Sequence, residues 1–181
     1  WFSVTGGEGT ISSLASAEYV DKAHAKGMEV WGLIDNFDEN VSTLETLSKR
    51  SARTHIIEML LSEAKRVGMD GINVDFEALT EEEAPHFIQF IRELSVTCRA
   101  NNLVLSIDDP VPQYTAFYNR KEQGIMADYV IIMGYDEHTT GSESAGSVAS
   151  LPFVEEGIVQ TLKEVPREKV INAVPFYTRL W

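Results

Sequence analysis

Short apolar runs of strand length alternate along the chain with longer segments whose apolar residues recur at helical spacing. That alternation is the mark of parallel βα units. Strands are predicted at Trp1–Thr5, Glu29–Asp35, Gly71–Glu77, Leu103–Ile107, Tyr129–Tyr135 and Val170–Phe176. A helix over Ser16–Lys26 takes Ser16 as its N-cap and Gly27 as its stop. Ile56, Ile57, Leu60, Leu61, Ala64 and Val67 trace a second helix, which Gly68 ends. Thr80–Glu83 spells a capping box ahead of the stripe Phe87, Phe90, Ile91, Leu94 and Cys98. The acidic run Glu81–Glu83 therefore reads as helix-start chemistry. Shorter helices are expected within Tyr114–Gly124 and within Phe153–Glu164.

Six βα units spaced by roughly thirty to forty residues point to α/β architecture, a (β/α)8 TIM barrel forming one domain over residues 1–181. A complete barrel has eight strands and about 250 residues, so this one is expected to be incomplete, cut at both ends. The opening Trp1-Phe2-Ser3-Val4 reads as a strand already under way. An open doubly wound sheet is the alternative, since it needs no closure. The stretch Thr139–Ser150, rich in Gly and Ser, falls where a barrel carries a long functional loop.

Charge narrows the partners. The formal net charge of −13 repels phosphate backbones, which argues against nucleic acid. No run reaches the roughly eighteen apolar residues of a membrane span, and no basic-then-apolar leader opens the chain. Cys98 is alone, so no internal disulfide is possible, and its place in a helical stripe makes it a core residue.

The segment that carries chemistry is Asp70-Gly71-Ile72-Asn73-Val74-Asp75-Phe76-Glu77. On a strand, Asn73, Asp75 and Glu77 share one face, and Ile72, Val74 and Phe76 share the other. Asp75 and Glu77 are then roughly 6.6 Å apart along the strand, close enough to couple. Burial and mutual repulsion should raise one carboxyl pKa into the range of an acid that works near neutral pH. Glu77 sits at the strand's C-terminal end, where barrel active sites are built. A polar network that only fixes the strand is the alternative, disfavoured because burying two carboxylates seldom repays desolvation.

These residues resemble the Asp-x-x-Asp-x-Asp-x-Glu signature of the family-18 glycoside hydrolases, the chitinase superfamily, matching at Asp70, Asp75 and Glu77. Asn73 stands where chitinases usually have the middle Asp, and the variant is similar to that of the bacterial spore-cortex and cell-wall hydrolases. Tyr129–Asp136 resembles the sixth-strand Met-x-Tyr-Asp of the family, and Val174–Arg179 its seventh-strand Pro-Phe-Tyr-Gly-Arg. The opening Trp-Phe looks like the second strand of the spore-type members, so the likeness runs from strand two to strand seven.

The resemblance implies a retaining, substrate-assisted cleavage of an N-acetylated glycan, peptidoglycan or a chitin oligomer, with no metal and no cofactor. Glu77 would be the acid, Asp75 would hold the acetamide N–H, and Tyr135 would bond the acetamide oxygen. Asn73 would leave a hydrogen-bonding partner for Asp75 while removing a carboxylate able to share its proton. The resemblance also implies an extracellular, cell-wall or spore-envelope setting, with cell-wall-binding modules appended outside this chain.

Other positions carry two readings. Met133 is a core filler or a wall beneath the sugar, and Asp136 contacts substrate hydroxyls or orients a loop. In Asp108-Asp109-Pro110, a turn after the fifth strand competes with a sugar subsite at Asp108. Tyr177, Arg179 and Trp181 end the last strand, where aromatic rings could stack on sugars, and Asp35 and Asn36 rim the cleft. Asp70 and Gly71 belong to the motif's structural part. His138 lies near the site, while His24, His55 and His86 form no pair with metal-ligand spacing. Two other functions fit less well: a glycan-binding barrel without turnover, and a metal enzyme using Asp70, Asp75 and Glu77, in which Asp70 is out of phase with the other two.

Overall fold

The computed structural model describes residues 1–180, the side chain of Tyr114 excepted. The described residues form one seven-stranded sheet of order β2-β1-β3-β4-β5-β6-β7. Its members are β1 (Phe2–Gly6), β2 (Thr10–Ser13), β3 (Trp31–Asp35), β4 (Gly71–Asp75), β5 (Val104–Pro110), β6 (Tyr129–Met133) and β7 (Val170–Ala173). All neighbours pair in parallel except the β1–β2 hairpin. The helices are α1 (Ala17–His24), α2 (Thr43–Ser48), α3 (Arg50–Val67), α4 (Ala84–Ala100), α5 (Arg120–Met126) and α6 (Leu151–Thr161). The sheet is an open arc, a (β/α) barrel that does not close on itself.

The caps are chemical. Ser16 accepts from the Tyr19 N–H at 3.3 Å, and Gly68 ends α3 with φ 78°, a left-handed conformation that glycine adopts without steric cost. The Thr80–Glu83 box forms in both directions, with the Thr80 N–H donating to the Glu83 carboxylate at 2.8 Å and the Glu83 N–H to Thr80 Oγ1 at 3.3 Å, but it closes a turn ahead of α4, which begins at Ala84 with Glu83 as an N-cap that makes no side-chain cap bond. The expected helix within Tyr114–Gly124 is instead two 3-10 turns followed by α5.

Two elements escape the periodicity altogether. In β2 only Ile11 is buried, so the strand has no alternation to read. Its signal was the Gly-rich turn, where Gly9 has φ 82° and a Cβ would meet the Ala52 carbonyl oxygen at 2.2 Å. In α2, Ser42 accepts from the Glu45 N–H at 3.2 Å, an S-x-x-E start ahead of a helix of only six residues.

Alternation sorts each central strand into two faces. Outward residues Ile34, Ile72, Val74, Ile107, Val130 and Ile132 are at most 1% exposed beneath the helices. Phe76 continues that face and stacks on Phe87 and Phe90 at 5.9 and 5.7 Å between ring centroids. The inward face rises in layers set by register. Trp31 pairs with Gly71, Leu33 with Asn73, Asn73 in turn with Ser106, and Asp35 with Asp75. At the bottom layer the Trp31 indole stacks on Tyr129, 5.4 Å away at 18°. A Cβ on Gly71 would meet Trp31 Cδ1 at 2.8 Å and the Val104 carbonyl oxygen at 2.7 Å.

Candidate active site

Asp75 is the last residue of β4, and Glu77 follows two residues on, so both stand at the C-terminal edge of the sheet. The expected strand through Glu77 stops early because Glu77's backbone bonds a side chain in place of a neighbouring strand. Its N–H donates to Asn36 Oδ1 at 2.9 Å, and its carbonyl accepts from Asn36 Nδ2 at 3.1 Å. Asn36 is itself tied to Thr43 Oγ1 at 3.0 Å. On the other side, the Tyr118 hydroxyl donates to the Phe76 carbonyl at 3.2 Å and accepts from the Leu79 N–H at 3.4 Å. Ala78 between them has φ 52°. The Glu77 turn is therefore held from both flanks.

β6 also ends before its predicted limit. The Gly134 and Tyr135 N–H groups turn back onto Ile132 and Met133 carbonyls at 3.0 and 2.8 Å, and Asp136 adopts φ 60°. Tyr135 thereby leaves the strand and joins Glu77, Met133, Asp136, Pro110, Val111 and Phe153 around a pocket of about 190 Å3. Pro110, Val111 and Phe153 were not among the sequence candidates. Phe153 reaches it from near the start of α6, which packs against β6.

The electrostatics of the inward face are one-sided. Burial pushes the Asp75 carboxyl up to about 7, helped by Asp108, Glu77 and Asp35. Burial also raises Glu77, with Asp136 adding repulsion. Asp108 reaches about 6 through burial, opposed by a bond from Asn73 and aided by Glu77. Tyr135 is pushed to about 12 by burial and the carboxylates Asp108 and Asp75, so its phenol remains an O–H donor at neutral pH.

Several expectations need correction. Asn73 does not bond Asp75. Its amide donates to Ser106 Oγ at 2.9 Å and to Asp108 Oδ1 at 3.1 Å, because register brings β5 nearer than the residue two further along its own strand. Asp108-Asp109-Pro110 is no turn, since β5 extends through all three to pair with Ile131, Ile132 and Met133. Asp108 faces inward and Asp109 outward. Asp109 is 0% exposed, 3.3 Å from the equally buried Arg120, and accepts from Gln123 at 3.1 Å. Tyr177 and Arg179 lie beyond β7, which stops at Ala173. Trp181 lies outside the described residues.

Asp70 is at the opposite end of β4, where its carboxylate accepts from the Val30 N–H at 2.7 Å and meets His24 Nε2 at 2.8 Å. It is thus separated from Asp75 and Glu77, which removes the shared metal site those three could have made. Among the described residues no group of three or more His, Cys, Asp or Glu side chains is placed to hold a metal ion. His138 does not line the pocket, as its ring bonds the Ser147 carbonyl at 2.9 Å inside the loop that precedes α6.

The model of the family "Glycosyl hydrolases family 18" matches residues 13–181. The chain belongs to this family. It is 27% identical to the "uncharacterized glycosylase YvbX" of Bacillus subtilis over 186 residues, 96% of this chain and 54% of that protein. Family-18 likeness extends to solved structures. A chitinase from Chromobacterium violaceum superposes with a TM-score of 0.86 at 25% identity, over 97% of this chain and 59% of that one. The spore cortex-lytic enzyme SleL of Bacillus cereus shares the fold, with a TM-score of 0.83 at 23% identity over 94% of this chain and 41% of that one. The chain thus spans about half the length of the curated relative YvbX.

Within this family-18 barrel, Asp136 is committed to its neighbours. It accepts from the Tyr177 hydroxyl at 2.7 Å and from Arg179 at 2.5 Å. The Tyr177 ring packs edge-on against Tyr135, 6.2 Å between centroids. The segment after β7 is therefore latched to the segment after β6, beside the pocket. No helix among the described residues is long and apolar enough to cross a membrane.

Proposed function

We propose that the whole protein is a retaining glycoside hydrolase acting on β-linked N-acetylglucosamine glycans, and that this chain is strands two to seven of its single catalytic barrel domain. The observation that carries the reading is the meeting of Glu77, Tyr135 and Asp136 at one pocket, with Asp75 on the inward face of the adjoining strand end. Glu77, raised by burial, gives its proton to the glycosidic oxygen as that bond breaks. The substrate's acetamido oxygen attacks the anomeric carbon, forming an oxazolinium ion with retention on later attack by water. Asp75 accepts the acetamide N–H and offsets the developing positive charge, while the Tyr135 O–H donates to the acetamide oxygen. Glu77, now ionised, takes the proton of the incoming water. The chemistry needs neither metal nor cofactor.

Bacterial peptidoglycan is the proposed substrate, with chitin-type oligomers second. Asn73 supports this choice through the spore-type variant of the motif, and the relative SleL is named a spore cortex-lytic enzyme. An extracellular, cell-wall or spore-envelope site of action follows, with appended wall-binding modules. The test is release of reducing ends, with product masses, by the full-length protein on purified peptidoglycan and on chitin oligomers. Activity on either that disappears in Glu77→Gln supports the assignment. Tight oligosaccharide binding without hydrolysis by the wild-type protein would replace it with a glycan-binding barrel.

A further inference from the structure

The inward face near the cleft carries three carboxylates abreast. Asp35 pairs directly with Asp75 across β3 and β4. Asp108 stands on the other side, one step beyond the last paired residues Val74 and Ile107. Parallel neighbours at such a register are separated by about 4.8 Å. The outer two have donors of their own. Asp35 accepts from Ser3 Oγ at 3.0 Å and from the Phe37 N–H at 3.2 Å. Asp108 accepts from Asn73 Nδ2 at 3.1 Å. Asp75, between them, has a buried Oδ1 with no hydrogen-bond partner.

An unpartnered carboxylate oxygen in that position is costly while ionised and satisfied once it carries a proton that it can donate. We propose that Asp108 is a positioning residue for Asp75: the two share one proton across β4 and β5, which Asp75 holds in the empty cleft and passes to Asp108 when Asp75 takes up the acetamide N–H as a carboxylate, with Asn73 fixing Asp108 in place. The charged and titratable groups that act on the pair are Glu77 after β4 and Asp35 of β3, with the Tyr135 phenol after β6 beside both, and none of these is a cation. Two anions so placed cannot both ionise freely, and the Asp75 carboxyl is pushed up by burial first and by Asp108 next. This inference rests on the family-18 reading of the cleft, and it moves Asp108 from the glycan to the acid beside it.

The experiment is a 13C NMR titration of the aspartate carboxyls in the full-length protein, wild type against Asp108→Asn. The neutral isostere should lower the titration midpoint of Asp75 by about one unit. The pH profile of kcat/KM should shift the same way, with oligosaccharide affinity changed by less than about threefold. Asn73→Ala is the second variant, which removes the donor from Asp108 and should move the shared proton toward it, again lowering the value at Asp75. An Asp75 midpoint that stays put in both variants overturns the proposal. So does an affinity loss above about tenfold with an unmoved pH profile, which would make Asp108 a glycan contact. The titration needs no turnover, so a protein that hydrolyses nothing would overturn the proposed function while this result stood.

Discussion

The side-chain amide of Asn36 brackets the backbone of Glu77, accepting its N–H at 2.9 Å and donating to its carbonyl at 3.1 Å. An asparagine placed this way imitates a neighbouring strand for one residue. The proposed acid is thereby held just beyond the sheet, where no β-ladder could hold it.

Asn36→Ala should therefore damage the chemical step more than substrate binding. Two hydrogen bonds of about 1 kcal/mol each are lost, and a small misplacement of the acid can cost about a hundredfold in rate. Steady-state kinetics on a soluble oligosaccharide should show kcat down about ten- to a hundredfold with KM little changed. Equal loss of both would point to general unfolding of the cleft.

Glu77→Gln should lower kcat by about a hundredfold or more. Oligosaccharide binding should survive, measured by calorimetry, because the amide fills the same space. Tyr135→Phe removes one donor and should cost about ten- to a hundredfold, with the Tyr177 packing intact.

Gly71→Ala tests the bottom of the barrel. The added methyl would meet the Val104 carbonyl oxygen at 2.7 Å and Trp31 Cδ1 at 2.8 Å. Overpacking of that kind costs about 1 to 3 kcal/mol, to be read from urea unfolding. An unchanged midpoint would show that Trp31 moves freely.

Asp109 on the outward face of β5 and Arg120 at the start of α5 are both fully buried. Arg120 also donates to the Thr115 carbonyl at 2.8 Å and to the Pro110 carbonyl at 2.5 Å, which fixes the segment entering the pocket wall. Arg120→Met alone strands a buried carboxylate and should cost about 3 to 5 kcal/mol. Arg120→Met with Asp109→Leu should recover only part of that loss in the same unfolding assay, since the Thr115 and Pro110 carbonyls and the Gln123 amide still lose these partners.

Asp75 and Asp108 are raised to about 7 and about 6, so the folded chain binds protons more tightly there than the unfolded chain, whose values are 3.8. More protons on the folded state mean that stability falls as pH rises, here from about 4 to about 7. Urea midpoints should drop across that window, and Asp75→Asn should flatten the drop. A wild-type curve that rises through the same window would contradict the shared burial of these acids.

Much of this protein is written in short-range pattern. The strand cores, the two long helices, the Ser16 cap, the Thr80–Glu83 turn and the common face of Asn73, Asp75 and Glu77 depend on periods of 2 and 3.6 and on side chains within a turn of each other. The family could be recognised from three motifs in order for the same reason, since each is a continuous run of residues. What register and chain return decide was out of reach. β2 has a single buried residue, and β5 runs past its apolar stretch because Asp108–Pro110 find partners on β6. Asn73 turns to Ser106 and Asp108, Asn36 reaches Glu77 across forty-one positions, and Asp109 meets Arg120 on the helical side. A residue's own chemistry states which bonds it can make. Which bonds it does make depends on what the folded sheet sets beside it.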